Sequence, residues 1–278
     1  MSAYASFDPG EEQRRLRVQS EVLEPLSDRA LAQLGDLRGA RALDVACGAM
    51  GLLGALSRRV GPAGAVVGTD INGAMLEQAR AYVAEAQFGN VTVAKDDAYA
   101  SALPAASFDV VHARFLLAPV GRDEQLLPQL ERLARPGGWV VLEEPVGGSW
   151  RVGPQGEAHD ALVALIVRAF ERHMGGFHAG ARLFDHARSR GWRDVGYDAQ
   201  VLAMPPGHRL LRLPVMMATS LRPVILRDTA EPELDARIAA AEELYARPST
   251  HGTSFTLVQV WGRPPITARP PSRPVSPR

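Results

Sequence analysis

The sequence predicts an α/β protein: a doubly wound, mostly parallel seven-stranded sheet with an antiparallel last strand and a helical cap. Three observations carry this. The chain has 278 residues, 46% of them apolar, enough for one full α/β core plus a subdomain. From residue 41 onward, short apolar runs, small-residue turns and helical patterns alternate, the mark of a parallel sheet with crossover helices. The first turn, LDVACGAMG at 43–51, collapses from an apolar run into glycines.

The elements follow in order. Residues 11–22 and 25–35 place Leu and Val at helical spacing among charges, which predicts two N-terminal helices broken at Pro25. RALDVA opens the sheet, followed by LLGALSRRV as helix, GAVVGTD as strand, MLEQARAYVAEA as helix and NVTVAKD as strand. FDVVHAR at 108–114 and GWVVLEE at 138–144 are two more strands, separated by a helix around 122–135 that ends at Pro136, Gly137 and Gly138. Residues 156–174 place Leu162, Leu165, Ile166, Ala169 and Phe170 on one helical face. ARLFDHARSRGW predicts a helix stopped at Gly191, then a strand at about 194–203, a Met-rich helical stretch and a helix at 232–247. SFTLVQVWG at 254–262 alternates as a strand and pairs with the preceding one at a sheet edge. The predicted organisation is an N-terminal helical cap at 1–36 and a core at 37–262, with helical lid insertions at about 146–190 and 205–250. The Pro/Arg-rich tail at 263–278 is expected to be disordered.

Composition narrows the function. Thirty-one basic residues balance thirty-one acidic ones, so no overall field draws the chain to nucleic acid or anionic membrane. A small-molecule ligand is expected. The longest apolar stretch, 210–226, is interrupted by Arg212, Pro214, Arg222 and Pro223 and cannot span a bilayer. The N-terminus has no apolar signal segment, and a lone Cys47 forms no internal disulfide, which together point to the cytoplasm. One cysteine and no persuasive histidine spacing argue against a metal. Exposed N-terminal helices would suit a homodimer.

A glycine turn between strand and helix lets backbone amides and the helix N-terminus approach a ligand. Positions 46, 48 and 51 read Ala, Gly, Gly, close to a dinucleotide-binding G-x-G-x-x-G, with Asp70 ending the next strand. Asp44, in the last part of the first strand, would repel a diphosphate in a site of low dielectric. A cationic ligand fits better. S-adenosylmethionine (SAM) offers a sulfonium, an ammonium and a ribose whose hydroxyls an acid such as Asp70 can hold.

On these residues the sequence resembles the class I SAM-dependent methyltransferases, whose fold is Rossmann-like. LDVACGAMG is similar to the family's first motif and VVGTDINGAMLEQAR to its second. KDDAYASALPAASFDVV, ARFLLAPV and ERLARPGGWVVLEEP resemble later segments, so the likeness covers about residues 40–145. The family usually has Gly where this chain has Ala46, and often where it has Met50. Ala46 is expected to fit with a negative φ. Met50 would pack over the methionine moiety or adenine, or Gly51 would take over part of the turn.

The resemblance implies roles. Asp44, Ala46 and Gly48 shape the loop around the methionyl and ribose part, Asp70 takes the ribose hydroxyls, and Ile71 packs on adenine. Asp97, with Asp96 as competitor, accepts from the adenine amino group, and Ala98 offers its amide. The backbone of His112 and the side chain of Arg114 lie beside the methionyl carboxylate or the substrate. Methyl transfer is an in-line displacement that needs alignment and a dry pocket, with a base only where the nucleophile must lose a proton. His178, His208 and Glu144 are the candidate bases. Tyr4, Phe7, Trp150, Phe177 and Met216 are the candidate acceptor contacts, with Arg15 and Gln19 in the cap and Met204, Met217 and Tyr245 as further soft lining. The expected activity is methyl transfer to O, C or N of a small, largely apolar, aromatic or secondary-metabolite acceptor. An NAD(P)-dependent oxidoreductase, or a cofactor-binding relative that transfers nothing, is the alternative.

Overall fold

A computed structural model describes residues 9–265. The chain opens with helix α1 (Pro9–Ala32) and then alternates β1 (Arg41–Val45), α2 (Leu53–Val60), β2 (Ala65–Asp70), α3 (Gly73–Glu85), β3 (Val91–Lys95) and β4 (Phe108–Arg114). A short α4 (Leu117–Val120) and α5 (Asp123–Leu133) lead into β5 (Ala134–Val146). The second half carries β6 (Arg151–Gly153), α6 (Glu157–His173), α7 (Leu183–Ser189), β7 (Arg193–Gln200) and β8 (Ala203–Met204). It closes with α8 (Leu213–Ser220), α9 (Arg222–Ile225), α10 (Glu231–Ala246), β9 (His251–Thr253) and β10 (Thr256–Arg263).

Seven strands form one sheet in the order β3-β2-β1-β4-β5-β10-β7. β10 runs antiparallel to both β5 and β7, the antiparallel last strand expected from the sequence. The inner strands are buried on both faces, which is why they read as continuous apolar runs. Strand order reverses between β1 and β4, so the carboxyl ends of these two strands open a crevice, the place where such sheets bind ligands.

One sequence expectation is corrected, and one small sheet had gone unread. Residues 9–32 form one helix that continues through Pro25. Pro25 and Glu21, whose carbonyl the proline leaves without an amide donor, are both exposed, so water can replace the missing bond and the helix tolerates the loss. A second sheet, in the order β6-β9-β8, was not legible because strands of two and three residues are too short to show alternation. Among the described residues no helix is long and apolar enough to cross a membrane.

The helices of the second half pack over one face of the sheet around an aromatic cluster. Trp150, 1% exposed, lies with its ring 5.4 Å from Phe255, 5.9 Å from Phe177 and 5.6 Å from His159. His159 in turn meets the Tyr245 hydroxyl at 2.8 Å, joining α6 to α10. Trp150, expected as an acceptor contact, is thus placed in the buried core. Trp150→Ala should lower the unfolding free energy by about 3–5 kcal/mol in a denaturant titration, the usual cost of a large buried void; a change under ~1 kcal/mol would contradict this placement.

Candidate functional site

The loop after β1 is drawn tight by two carboxylates. Asp44 Oδ2 accepts from the Leu52 amide (2.7 Å), and Asp70 accepts from the amides of Gly48 (2.9 Å) and Asn72 (2.8 Å). Gly51 is required here: its φ is 50°, and a Cβ would stand 2.1 Å from Asp44 Oδ2. Asn72 caps α3 by accepting from Ala74. Burial raises the Asp70 carboxyl above its ordinary value although backbone amides pull it down. Ala46 takes φ 55°, not the negative φ expected for a residue with a Cβ. The Cys47 amide, fixed to the Thr69 carbonyl at 2.8 Å, and the two carboxylate clamps hold the loop in this shape. Met50 lines none of the cavities described below; Gly51 makes the turn instead.

Parallel register sets Asp44 of β1 beside His112 of β4. His112 Nδ1 meets Asp44 Oδ1 and its Nε2 meets Glu143 Oε1 of β5, both at 2.7 Å. Glu143 Oε2 accepts from Ser27 Oγ of α1 (2.7 Å) and from Gln259 Nε2 of β10 (2.6 Å). Burial alone would depress the His112 pKa, but the two carboxylates outweigh it and raise it to about 9, so the ring is a cation that donates from both nitrogens. Glu143 is likewise held below its ordinary value by His112 against its burial. Asp44 is therefore a partnered charge, not the bare carboxylate beneath the loop that the sequence suggested. Arg114 extends the network, donating to Ser27 Oγ (2.9 Å), Ser20 Oγ (3.2 Å) and the Gly51 carbonyl (3.2 Å).

Three cavities open around this framework. One, of about 150 Å³, is lined by Asp70, Ile71, Asp97, Ala98 and Tyr99. Asp96 lines it too; Asp97 accepts from the Tyr99 amide and Asp96 from the Ala102 amide, each at 2.9 Å. A second, of about 50 Å³, brings together Asp44, Ala46, Gly48, His112 and Arg114 under Gln19 and Ser20 of α1. The third, also about 50 Å³, is walled by Phe115, Phe170, Met174, Phe177, Met217 and Phe255, with Arg15 and Gln19 of α1 at one side. Arg15 is paired with the buried Glu12 (2.6 Å).

All nine cofactor residues named from the sequence thus surround the first two cavities. The structure also adds Tyr99, with the Arg122 guanidinium 3.9 Å above its ring, and Phe115; neither had a signal beyond being aromatic.

The candidate bases lie elsewhere. Glu144 is fully buried and spends its carboxylate on the amides of Leu116 and Leu117 (2.7 Å each) and Ala118 (3.0 Å), capping α4. Burial pushes its carboxyl up to about 7. His208 uses Nδ1 to accept from the Leu210 amide at 3.3 Å, capping a turn, and His178 is exposed; neither lines any of these three cavities. Of the acceptor candidates, Phe177 lines the third cavity. Met216 is displaced by its neighbour Met217, since one helical step turns a side chain by about 100°. Met204 and Tyr245 are core, and Tyr4 and Phe7 lie outside the described residues. Among the described residues no cluster of His, Cys, Asp and Glu could hold a metal.

Two outcomes follow from this geometry. Ala46→Gly should stabilise the fold by about 1 kcal/mol, because the left-handed penalty of ~1–2 kcal/mol exceeds the unfolded-state entropy of glycine; calorimetric melting reads the sign. The stability supplied by His112 is complete below its unfolded pKa of 6.5 and is lost as pH rises through about 9. Melting temperature should therefore fall across that window, and His112→Gln should flatten the slope.

A methyltransferase domain family matches residues 42–138. The nocamycin O-methyltransferase of Saccharothrix syringae is 30% identical over 264 residues, 90% of this chain and 92% of that protein. The ubiquinone/menaquinone biosynthesis C-methyltransferase of Hahella chejuensis is 38% identical over 107 residues, 38% of this chain and 43% of that protein. A SAM-dependent methyltransferase from Aquifex aeolicus shares the fold with a TM-score of 0.51 at 24% identity, covering 71% of this chain and 93% of that one. The near full-length match sets the dinucleotide oxidoreductase aside. The chain belongs to the class I SAM-dependent methyltransferases.

Proposed function

We propose that this methyltransferase moves the methyl group of SAM to an oxygen of a small, largely apolar acceptor. The observation that carries the reading is the meeting of two acid-lined cavities with a third one walled by aromatic and methionine side chains and lined by no acid. Asp70 would hold the ribose hydroxyls, since each of its oxygens accepts one backbone amide and keeps a second lone pair. Ile71, Ala98 and either Asp97 or Asp96 would hold adenine, and Gly48 and Arg114 the methionyl end. When bound, SAM supplies a methyl carbon already activated by its sulfonium. The protein's share is alignment and exclusion of water, and the reading assigns no general base.

Oxygen is favoured over carbon by the extent of likeness. The O-methyltransferase relative matches over 90% of this chain, whereas the C-methyltransferase relative matches over 38%. The aromatic and methionine walls suit an aromatic or polyketide-like acceptor.

Methyl-labelled SAM and a panel of phenols, indoles, prenyl and polyketide metabolites test this directly. Label should appear as a new methoxy group or ester on an apolar acceptor. Label on carbon or nitrogen would overturn the choice of oxygen. Phe177→Ala should raise the KM of that acceptor about tenfold, roughly the loss of one buried aromatic contact, with SAM affinity unchanged.

A further inference from the structure

Among the described residues, Phe115 is the one that lines all three cavities. The inference rests on the cofactor reading above. A ligand whose adenosyl part fills the first cavity, whose methionyl part fills the second and whose methyl points into the third has its branch point where the three meet. In SAM that branch point is the sulfonium. We propose that the Phe115 ring faces the sulfonium and its transferable methyl, forming the wall between cofactor and acceptor and favouring charged SAM over the neutral thioether left after transfer.

Two independent features show that the ring is placed there by construction. Phe115 has φ 55°, a left-handed conformation that a bulky residue avoids and that persists only where surrounding contacts impose it. Those contacts are present: its amide donates to the Glu143 carbonyl at 2.9 Å, and Glu144 grips the next three amides. Left-handed backbone at 115 turns the chain sharply out of β4 and carries the ring over the strand end into the crevice. There the ring meets Phe255 at 5.9 Å and 83°, a T-shaped contact with a second wall of the acceptor cavity. The Arg114 guanidinium lies 5.8 Å from the ring centroid, so the ring already offers its π system to one cation.

A π face attracts a sulfonium and does nothing comparable for an uncharged sulfide, so the readout needs no acceptor. Calorimetry compares SAM with S-adenosylhomocysteine on the wild-type chain and on Phe115→Leu, which is equally strained at this φ and so isolates the ring. SAM affinity should fall about five- to tenfold while S-adenosylhomocysteine affinity changes less than about twofold. Phe115→Tyr should keep the wild-type ratio, and Met217→Leu, which lines the third cavity and neither of the others, should keep it too. If Phe115→Leu does not fold by thermal melting, Phe115→Met preserves bulk without a π face and replaces it. Equal losses for the two ligands, or no loss, overturn the placement of Phe115. If the wild-type chain gives no heat with either ligand, the cofactor reading fails and takes this inference with it.

Discussion

The buried polar row Asp44–His112–Glu143–Gln259 is the constraint on which the site depends. It crosses four adjacent strands, β1, β4, β5 and β10, through side chains that are at most 2% exposed. Two carboxylates in a protein interior repel one another and lose hydration; a protonated imidazole between them restores balance only where each hydrogen bond is made. Here every oxygen of the row has a partner, including the Leu52 amide of the loop and Ser27 of α1. The same contacts that satisfy the charges therefore fix the glycine loop to the sheet and α1 to both. Removing one partner of such a network typically costs about 3–5 kcal/mol, because the remaining charge is stranded.

This rigidity explains how backbone strain survives beside it. Ala46 follows β1 and Phe115 follows β4, the two strands that flank the reversal of sheet order, and both sit at φ 55°. Each has its neighbours pinned by a buried carboxylate, Asp44 and Asp70 around the first, Glu144 beyond the second. The acids that the sequence assigns to the cofactor, Asp44 and Asp70, and to catalysis, Glu144, are also the clamps that hold the unusual turns.

What the sequence made legible follows from what periodicity encodes. Inner strands buried on both faces and helices with one apolar face announce themselves, and the residues around the cofactor cavities lie at strand ends whose positions those patterns fix. Side-chain direction is less visible. Glu143 and Glu144 are adjacent acids in a buried strand, and alternation sends one into the polar row and the other to the amides of α4. Read as a residue type, Glu144 is a candidate base; read as buried groups that must be satisfied, both acids already have their partners. His208 was ambiguous for the same reason, since a histidine before a turn caps it with the lone pair a base would use. Phe115 carried no signal, because an aromatic after a strand is ordinary until its backbone angle is known.

The third cavity obeys a different logic from the two acid-lined ones. Its walls come from α1, the segment after β4, the end of β5, α6 and the loop after it, α8 and the residue before β10, so residues from 15 to 255 meet there. The matched family region ends at 138 and contains few of them. Likeness in that region consequently speaks to the cofactor and is nearly silent on the acceptor, whereas likeness across both halves constrains the acceptor walls as well. The O-methyltransferase relative has the second kind of likeness. Because those walls hang on helices packed around Trp150, Phe177 and Phe255, the shape of this cavity is set by the packing of that aromatic core and can change without disturbing the polar row.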